Sequence, residues 1–484
     1  MAGFDLKKSA HDEMVHEGFE PDWSPEVLAQ VATLTSQPKP TLSEGLRDLR
    51  DLLWSSIDND SSRDLDQIEV AERTEAGIRV LVGIADVDGL VTINSPIDQH
   101  AASQATSVYT AVRVFPMLPE QLSTNLTSLN ENADHPAIVI EFVVDGNGSI
   151  TTSDVYRALV RNKAQLTYEG LGPWLEQRGS APAKVAASGE LAAQIRLQDE
   201  AAAALRSQRY RVGALEFDRV EARPVVANGQ IAGVEASRKN RASDLIEDFM
   251  IAANEVMAQT LRGANVPNIR RVVKSPERWP RIVELAARYN VRLGDQPDAA
   301  ALANFLKDQK ERDPVHYPDL SLAVVKLMGP GEYELWRPGD TPEGHFGLAA
   351  HDYTHSTAPN RRFADLVTQR LLKSALAGQS APYSEDQLSG IAQNCTQKED
   401  AARKVERSMS KRVAAVAYHS HAGESFNAIV TGVTPKGTFV RVAHPPIEGR
   451  LMRGEQGVDV GDQIRVVLLS TDPQRGYIDF ARAS

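Results

Sequence analysis

Hydrophobic and polar positions change their spacing several times along the chain, and the first stretch has helical spacing. Ser24-Pro25 is typical of a helix start, and Thr41-x-x-Glu44 is a capping-box pattern. The segment is rich in Asp and Glu and poor in Arg. A helix-turn-helix module that touches nucleic acid and a structural cap on the main domain therefore both stay open. The spacing predicts three short helices, at residues 5–17, 25–35 and 42–54.

The spacing then becomes strand-like. Residues Gln67–Glu72 alternate between apolar and polar side chains, and residues 77–86 form a nearly continuous apolar run of the kind found in buried strands. A further apolar run at 137–144 is followed by Asp145-Gly-Asn-Gly-Ser149 and a second run to about residue 158. That pattern predicts a β-hairpin.

Helical spacing returns in the middle of the chain, where capping residues mark several helix starts. The predicted longer helices are one capped by Ser188 that ends near Arg209, one capped by Ser243 over 244–261, one capped by Asn360 over 361–377, and one over 396–418. The last of these carries many Lys and Arg side chains, which fit a solvated face as well as a functional surface.

After Gly423 the chain breaks into short strand-like runs separated by Pro and Gly. About five short strands in roughly 60 residues predict a small barrel of the OB type. Residues 423–484 hold seven acidic and seven basic side chains, so this part is neutral on an acidic protein and the more hospitable to a polyanion. Phe426 and Phe439 could stack on bases or belong to the barrel core.

Composition bounds the class of protein. The chain has 484 residues, 42% hydrophobic and 24% charged, which is typical of soluble globular protein with a large domain and one or two small modules. The start of the sequence has no apolar stretch of the secretory kind, and we expect a cytoplasmic protein without membrane attachment. The single Cys395 excludes cysteine-cluster metal sites. The net charge of -12 argues against non-specific coating of nucleic acid but allows a local basic channel.

An acidic, turn-forming stretch at residues 57–67 lies just before the first long strand. It holds Asp58, Asp64 and Asp66, and carboxylates crowded beside a hydrophobic strand repel one another unless a cation lies among them. The residues alone leave two interpretations open, a divalent-metal site and a solvated acidic turn.

Two other kinds of catalytic site have less support. His345, His351 and His355 suggest zinc, because His351-x3-His355 could put two imidazoles on one helical face. Ala358-Pro359 and the lack of an evident third ligand count against zinc, and packing histidines are expected. A serine hydrolase is not indicated either, because the sequence has no Gly-x-Ser-x-Gly elbow.

Several motifs follow one another in a fixed order along the chain. They are Asp58-x5-Asp64-x-Asp66, Ile84-Ala-Asp86, Pro116-Met-Leu-Pro119, Ile246-Glu247-x-Phe-Met-x-x-Ala-Asn254, His345-Phe-Gly-Leu348 and Tyr353-Thr-His-x-x-Ala-Pro-x-Arg361-Arg362-Phe-x-Asp365. Together they resemble the ribonuclease II and ribonuclease R family, and the C-terminal part resembles the OB-type RNA-binding module named after ribosomal protein S-one. The resemblance implies an α+β fold, with an RNB-type catalytic domain of mixed sheet and helices at 49–420, a small N-terminal helical module at 1–48 and an OB-fold β-barrel at 421–484.

The same resemblance implies an activity. It is processive, Mg²⁺-dependent 3′ to 5′ hydrolysis of single-stranded RNA to 5′-nucleoside monophosphates, with Mn²⁺ as the alternative metal and no obligatory protein partner. A catalytically weakened RNA-binding protein on the same scaffold is the alternative. Members of the family usually place two further OB-type modules ahead of the catalytic domain, where this chain has about 50 residues. We therefore expect an open channel that could admit duplexes with a 3′ overhang.

Roles for individual residues also follow from the resemblance. Asp58, Asp64, Asp66 and Gln67 occupy the metal-binding positions. Gln67 replaces an aspartate of the best-known members, so we expect weaker metal binding, because an amide oxygen can bind Mg²⁺ but carries no charge. Asp64, Asp66 and Arg361 match catalytic positions, with Arg361 expected in the first turn of its helix. The implied RNA-contacting residues are Tyr109, Tyr168, Phe217, Glu247, Arg362 and Glu406.

Overall fold

The computed structural model describes residues 4–36, 42, 45–218, 221–227, 230–314, 316–435 and 437–483. The helices of these segments are α1 (Leu6–His16), α2 (Pro25–Thr35), α3 (Pro96–Gln104), α4 (Tyr168–Leu175), α5 (Ala183–Ala187), α6 (Gly189–Arg211), α7 (Arg241–Gly263), α8 (Trp279–Arg288), α9 (Ala299–Arg312), α10 (Tyr317–Met328), α11 (Phe363–Leu376) and α12 (Glu385–Ala417). A π-helical turn spans Leu122–Leu126.

The strands of the central sheet and of three small ribbons precede the barrel. They are β1 (Arg47–Asp48), β2 (Ser55–Asp58), β3 (Gln67–Thr74), β4 (Gly77–Ala85), β5 (Val108–Tyr109), β6 (Val114–Phe115), β7 (Asp134–Val144), β8 (Ile150–Arg161), β9 (Ala164–Thr167), β10 (Glu221–Ala227), β11 (Gln230–Ser237), β12 (Asn268–Val272) and β13 (Glu332–Trp336). The barrel strands are β14 (Ser425–Thr434), β15 (Gly437–Val442), β16 (Ile447–Arg453), β17 (Gln463–Asp472) and β18 (Tyr477–Arg482).

A seven-stranded mixed sheet with the order β1-β8-β7-β4-β3-β2-β9 forms the centre of the larger domain. Its inner strands are antiparallel, and the predicted hairpin over 137–158 is confirmed as β7 and β8. Parallel pairs occur at both edges, β1 with β8 and β2 with β9. Strands β3 and β4 pair from Thr74 and Gly77 to Gln67 and Ile84, so the acidic stretch lies at the end of the sheet where β4 finishes.

The prediction of a helix at 42–54 is wrong. Arg47 and Asp48 instead pair in parallel with Ala158 and Leu159 at the edge of the sheet. Trp54 is fully buried and its indole N–H donates to the carbonyl of Leu49 at 2.8 Å. Sheet pairing and this buried ring override the local helical pattern. The capping-box residues Thr41 and Glu44 lie outside the described residues.

Helices α1, α2 and α6 agree with the sequence, but other starts differ. Helix α7 begins earlier because Asn240 is its N-cap and Ser243 makes the reciprocal bond of the capping box. Helix α11 begins at Phe363 rather than at Arg361, with Arg362 in the N-cap position. Helix α12 begins eleven residues before Thr396, capped by Ser384.

Helix α1 lies against α12. The Arg412 guanidinium contacts Glu13 at 2.7 Å, its Nη1 donates to the Ser9 hydroxyl at 2.6 Å, and Lys398 lies 4.7 Å from the centre of the Phe19 ring. These contacts support the structural-cap interpretation of the N-terminal helices, because they join α1 and the residues just after it to α12.

The C-terminal strands close into a five-stranded barrel with the order β14-β15-β16-β18-β17, so the expected α+β fold with an OB-type barrel is confirmed. Phe426 packs edge-on against Tyr418 and Phe480 at the barrel core. Phe439 is 39% exposed and therefore remains available for stacking. No helix of the described residues is long and apolar enough to cross a membrane.

A buried ion cluster fastens α11 to the end of β4. Arg370, which is 2% exposed, contacts Asp88 at 2.9 Å and Asp98 at 2.8 Å. Lys373 contacts Asp86 at 2.9 Å and Asp88 at 2.8 Å. The cluster fixes α11, and Arg361 lies in the segment that leads into the N-terminus of this helix.

We predict that Arg370→Met lowers the free energy of unfolding by about 3–5 kcal/mol, because it leaves buried carboxylates without their cation. Arg475→Met is the control, since Arg475 is 72% exposed and lies 3.9 Å from Asp472, where the loss should stay below about 1 kcal/mol. Urea unfolding of both variants measures the difference. Equal losses would contradict the role of the cluster.

Candidate active site

The acidic stretch folds into a loop between two neighbouring strands. Asp58 ends β2, Asp66 immediately precedes β3, and Asp64 lies two residues before Asp66. The buried side chains of Ile57 and Leu65 anchor both sides of the loop in the core. The three carboxylates are thereby held at one end of the sheet.

Asp66 is the most deeply buried of the three carboxylates, at 3% exposure. The pKa of Asp66 is raised to about 7, chiefly by burial and to a smaller extent by the charges of Asp64 and Asp365. The Arg361 guanidinium and the Asn360 N–H, which donates to Asp66 Oδ1 at 3.0 Å, act in the opposite direction. Burial likewise raises the pKa of Asp58, with a smaller contribution from Asp64.

Arg361 lies in a turn before α11, two residues outside the helix, so its predicted place in the first helical turn is wrong. The backbone N–H of Ser107 donates to the Arg361 carbonyl at 2.9 Å. Its side chain is 44% exposed, and Nε lies 3.8 Å from Asp66 Oδ2. The position is therefore set by backbone pairing rather than by helix geometry.

Arg362 points inward and makes a bidentate pair with Asp365, at 2.9 and 2.7 Å. Asp365 is fully buried and also accepts from the backbone N–H of Ala358 at 2.8 Å. Asp365 thus binds Arg362, and Arg361 keeps an exposed guanidinium.

Tyr109 joins two of the other expected residues. Its hydroxyl donates to Asp64 Oδ2 at 3.1 Å, and its backbone N–H donates to Glu406 Oε1 at 3.0 Å. The side chain is 41% exposed. An aromatic surface is thereby held directly beside the carboxylates.

Tyr168 begins α4, and its carbonyl accepts from Asn240, the N-cap of α7, at 2.9 Å. Tyr168 follows Thr167, which pairs with Asp58 across β9 and β2. Burial raises the pKa of the Tyr168 hydroxyl, with smaller contributions from the charges of Asp58 and Glu69.

Two of the expected RNA-contacting residues, Glu247 and Phe217, make their contacts away from the loop carboxylates. Glu247 pairs with Lys239 on the exposed side of α7. Phe217 is half-buried against the hydrophobic cluster of α8, α9 and α10. Among the contacts of the described residues, neither has a hydrogen bond or ion pair to Asp58, Asp64 or Asp66.

The histidines do not share a helical face, because residues 351–357 are not helical. The His355 Nδ1 lies 2.7 Å from the Tyr333 hydroxyl, and the His345 ring accepts from the Leu348 N–H at 3.2 Å. Burial lowers the pKa of His345 to about 4 and holds the pKa of His355 well below its ordinary range. Both serve as neutral packing groups with local hydrogen bonds.

The donor set fits a hard divalent cation, although among the described residues no three His, Cys, Asp or Glu side chains are arranged as a ready-made metal cage. Asp58, Asp64 and Asp66 offer only oxygen, the donor that Mg²⁺ and Mn²⁺ prefer. Their burial and mutual repulsion favour a cation among them. Gln67, which is 8% exposed at the start of β3, adds an uncharged oxygen.

Sequence reasoning missed several residues at the site. The sequence predicts Asn360 as a helix cap and places Glu69 in an alternating strand, but it does not predict that either residue belongs to the site. Glu69 is fully buried, its carboxylate oxygens have no hydrogen-bond partner among the described residues, and burial raises its pKa well above the ordinary value. Thr127 and Ser128 carry no local signal, because their contacts are made with distant segments.

Comparison with protein families identifies the class. The RNB domain model matches residues 46–378, and the model of the RNase II-type exonuclease C-terminal S1 domain matches residues 424–483. Since the first match alone spans more than half of the chain, the chain belongs to the RNB-domain family. The resemblance of the motifs is thereby confirmed.

Particular relatives carry the name ribonuclease R. The chain is 29% identical to "Ribonuclease R 1" of Lactococcus lactis subsp. lactis (strain IL1403), over 94% of this chain and 60% of that protein. It is 30% identical to "Ribonuclease R" of Thermotoga maritima, over 96% of this chain and 69% of that protein. The chain thus spans about 60–70% of the length of these relatives.

Solved structures share the fold. RNase R of Mycoplasma genitalium in complex with ribose-methylated single-stranded RNA matches with a TM-score of 0.89 at 22% identity, over 99% of this chain and 78% of that chain. Its complex with double-stranded RNA matches with a TM-score of 0.87 at 23% identity, over 99% of this chain and 83% of that chain. Yeast Ssd1, described as a pseudonuclease, matches with a TM-score of 0.72 at 16% identity, over 96% of this chain and 58% of that chain.

The raised pKa of Asp66 predicts a pH dependence of stability in the metal-free protein. Its carboxyl stays protonated below a pH of about 7 in the folded state but ionises near pH 4 when unfolded, so this contribution to stability is lost as the pH rises from about 4 to 7. Asp66→Asn should therefore raise the melting temperature in EDTA at pH 8 and change it little at pH 4.

Differential scanning fluorimetry of parent and variant at both pH values measures the effect. Asp60→Asn, an exposed position in the same loop, is the matched control and should leave both melting temperatures unchanged. An Asp66→Asn gain that is the same at pH 4 and pH 8 would contradict the assignment.

Proposed function

We propose that this protein is a processive, Mg²⁺-dependent 3′ to 5′ exoribonuclease that converts single-stranded RNA to 5′-nucleoside monophosphates. One observation carries the proposal. The exposed guanidinium of Arg361 lies beside buried Asp66, with Asp58 and Asp64 in the same loop. Carboxylates able to hold a metal, together with an exposed cationic donor, suit a phosphodiester whose charge grows during hydrolysis.

The residues of the chain divide the work. Asp58, Asp64, Asp66 and the Gln67 amide would hold the metal, which when bound supplies water activation and neutralisation of phosphoryl charge. Arg361 can donate two hydrogen bonds to a phosphoryl oxygen pair. The water oxygen forms the new bond to phosphorus, the bond to the 3′ oxygen breaks, and that oxygen takes a proton. The released product is a 5′-nucleoside monophosphate.

Base holding falls to aromatic side chains. Tyr109 is exposed and tied to Asp64, so a base stacked on its ring would lie next to the reacting phosphate. Tyr168 follows the β9 residue that pairs with Asp58, where a hydroxyl could meet the ribose 2′-OH. Glu406 binds the backbone N–H of Tyr109 and is a further proposed RNA contact. The proposed RNA path is completed by Phe217, Glu247 and the guanidinium N–H groups of Arg362 that do not bind Asp365.

The fold does not by itself decide between catalysis and binding, since the pseudonuclease Ssd1 has a related structure. The residues of this chain favour catalysis. Its three loop aspartates and Arg361 are all present, whereas only the neutral Gln67 favours a binding-only protein.

We extend the proposal to duplexes with a 3′ overhang, because RNase R of Mycoplasma genitalium, which shares the fold, has a structure in complex with double-stranded RNA. A sharp stall at the duplex edge, with single-stranded RNA digested normally, would contradict this extension.

The activity itself is tested with 5′-labelled single-stranded RNA in Mg²⁺ or in EDTA. We expect ladder-free shortening from the 3′ end that needs Mg²⁺ and is abolished by Asp66→Asn. Arg361→Met should lower kcat by about 10²- to 10³-fold, as loss of a transition-state donor does. Arg281→Met, at a 72% exposed side chain on α8, is the control with parental rates. Tight RNA binding without any shortening would support the binding-only alternative.

The neutral side chain of Gln67 predicts a weakened metal site. We expect Gln67→Asp to lower the Mg²⁺ concentration that gives half-maximal activity, because a further carboxylate attracts the cation more strongly. Gln67→Glu is the control, because it adds the same negative charge on a side chain that is one methylene longer than Asp. A Gln67→Asp variant that needs as much Mg²⁺ as the parent would contradict the explanation.

A further inference from the structure

Two adjacent hydroxyl groups, on Thr127 and Ser128, contact both halves of the site. They follow the π-helical turn Leu122–Leu126 and are almost fully buried, at 4% and 0% exposure. Neither belongs to a motif of the family resemblance or touches the carboxylates directly. Their hydrogen bonds run to the backbone and side chain of segments that lie far away in sequence.

Ser128 holds the acidic loop on both sides of Asp64. Its hydroxyl accepts from the Leu65 N–H at 3.0 Å and lies 2.8 Å from the Arg63 carbonyl, which can take its proton. The side-chain oxygen of Asn130, at 3.2 Å, is a second acceptor within reach. The backbone N–H of Leu129 donates to the Leu65 carbonyl at 2.9 Å. The loop has no regular structure of its own, so these bonds set its backbone.

Thr127 holds the segment that carries Arg361. Its hydroxyl lies 2.5 Å from Asn360 Oδ1, and Asn360 is 1% exposed. A hydroxyl has one proton, and two acceptors lie within its reach, Asn360 Oδ1 and the Leu122 carbonyl at 2.8 Å, which also accepts from the Thr127 N–H at 2.9 Å. Donation to Asn360 holds this segment through a residue whose backbone N–H donates to Asp66.

The segment that carries the two hydroxyls is bound to the central sheet through Asn162. Asn162, which is 1% exposed, donates to the Leu129 carbonyl at 3.0 Å and to the Ser56 hydroxyl at 2.9 Å. Ser56 belongs to β2, the strand that ends in Asp58. The residues after the π-helical turn are thereby tied to the sheet from which the acidic loop leaves.

We propose that Thr127 and Ser128 are positioning residues, Ser128 for the metal-binding loop and Thr127 for the alignment of Arg361 with Asp66. The inference rests on the proposed function and adds to it a division of labour between neighbouring hydroxyls. Supporting hydrogen bonds of this kind typically change metal affinity or activity by about 10- to 100-fold when removed. Small misplacements of a catalytic group have effects of similar size.

The test separates the two roles with Ser128→Ala and with Thr127→Val, which removes the hydroxyl and keeps the shape. Ser128→Ala should raise the half-saturating Mg²⁺ concentration and weaken Mn²⁺ binding, measured by calorimetry without RNA, by about 10-fold or more. Thr127→Val should lower kcat by about 10-fold or more and leave KM for RNA and Mn²⁺ affinity near the parental values.

Thr124→Val is the matched control, since its hydroxyl donates to the carbonyl of Glu120, two residues before the π-helical turn, at 2.7 Å and has no hydrogen bond to the acidic loop or to Asn360 among the described residues. A purely structural effect would reduce the active fraction and shift neither the Mg²⁺ midpoint nor the Mn²⁺ affinity. Circular dichroism checks folding, and Ser128→Cys, which keeps the size of the side chain, replaces Ser128→Ala if that variant is unfolded.

Variants that fold and show parental Mg²⁺ midpoints, Mn²⁺ affinities and kcat would overturn the inference, as would the same change of all three quantities in both variants. Failure of the proposed function is a separate result. In that case the parent would not shorten RNA, whereas the Mn²⁺ titration would still show whether Ser128 supports the loop.

Discussion

Everything at the site depends on keeping a carboxylate out of water. An isolated buried carboxylate is strongly disfavoured, so Asp66 at 3% exposure requires donors or positive charge around it. The structure supplies one backbone N–H, from Asn360, and one guanidinium at 3.8 Å, from Arg361. Both belong to the segment that leads into α11, and this explains why that helix is fastened to the sheet by buried ion pairs. The remaining deficit is what a divalent cation would fill.

The local signals in the sequence were sufficient for the sheet and for the barrel. Alternating apolar positions and the Asp145-Gly-Asn-Gly-Ser149 turn determine a hairpin through neighbouring residues alone. The loop aspartates stand out for the same reason, since four of them lie within nine residues. Patterns that depend on a few adjacent side chains survive folding unchanged, so the sequence predicts them well.

Long-range contacts explain the places where the sequence misled. Asn360 is a good helix-capping residue, but its Oδ1 bonds to Thr127 from another part of the chain, and α11 starts three residues later. The segment at 42–54 has helical spacing, yet its Arg47 and Asp48 pair with a strand that lies more than 100 residues away. Ser128 and Glu69 were missed because burial and distant partners, rather than neighbours, determine what they do.

Helix α12 links three parts of the molecule along a single rigid axis. It spans 33 residues, about 50 Å, and its Glu399 binds Arg271, its Glu406 binds the backbone of Tyr109, and its Arg412 binds α1 before the chain enters the barrel. Adding one residue between Glu406 and the barrel would turn all that follows by about 100°. The helix therefore sets both the spacing and the relative rotation of these contacts, and changes in chain length have to be absorbed in the connection at 418–424.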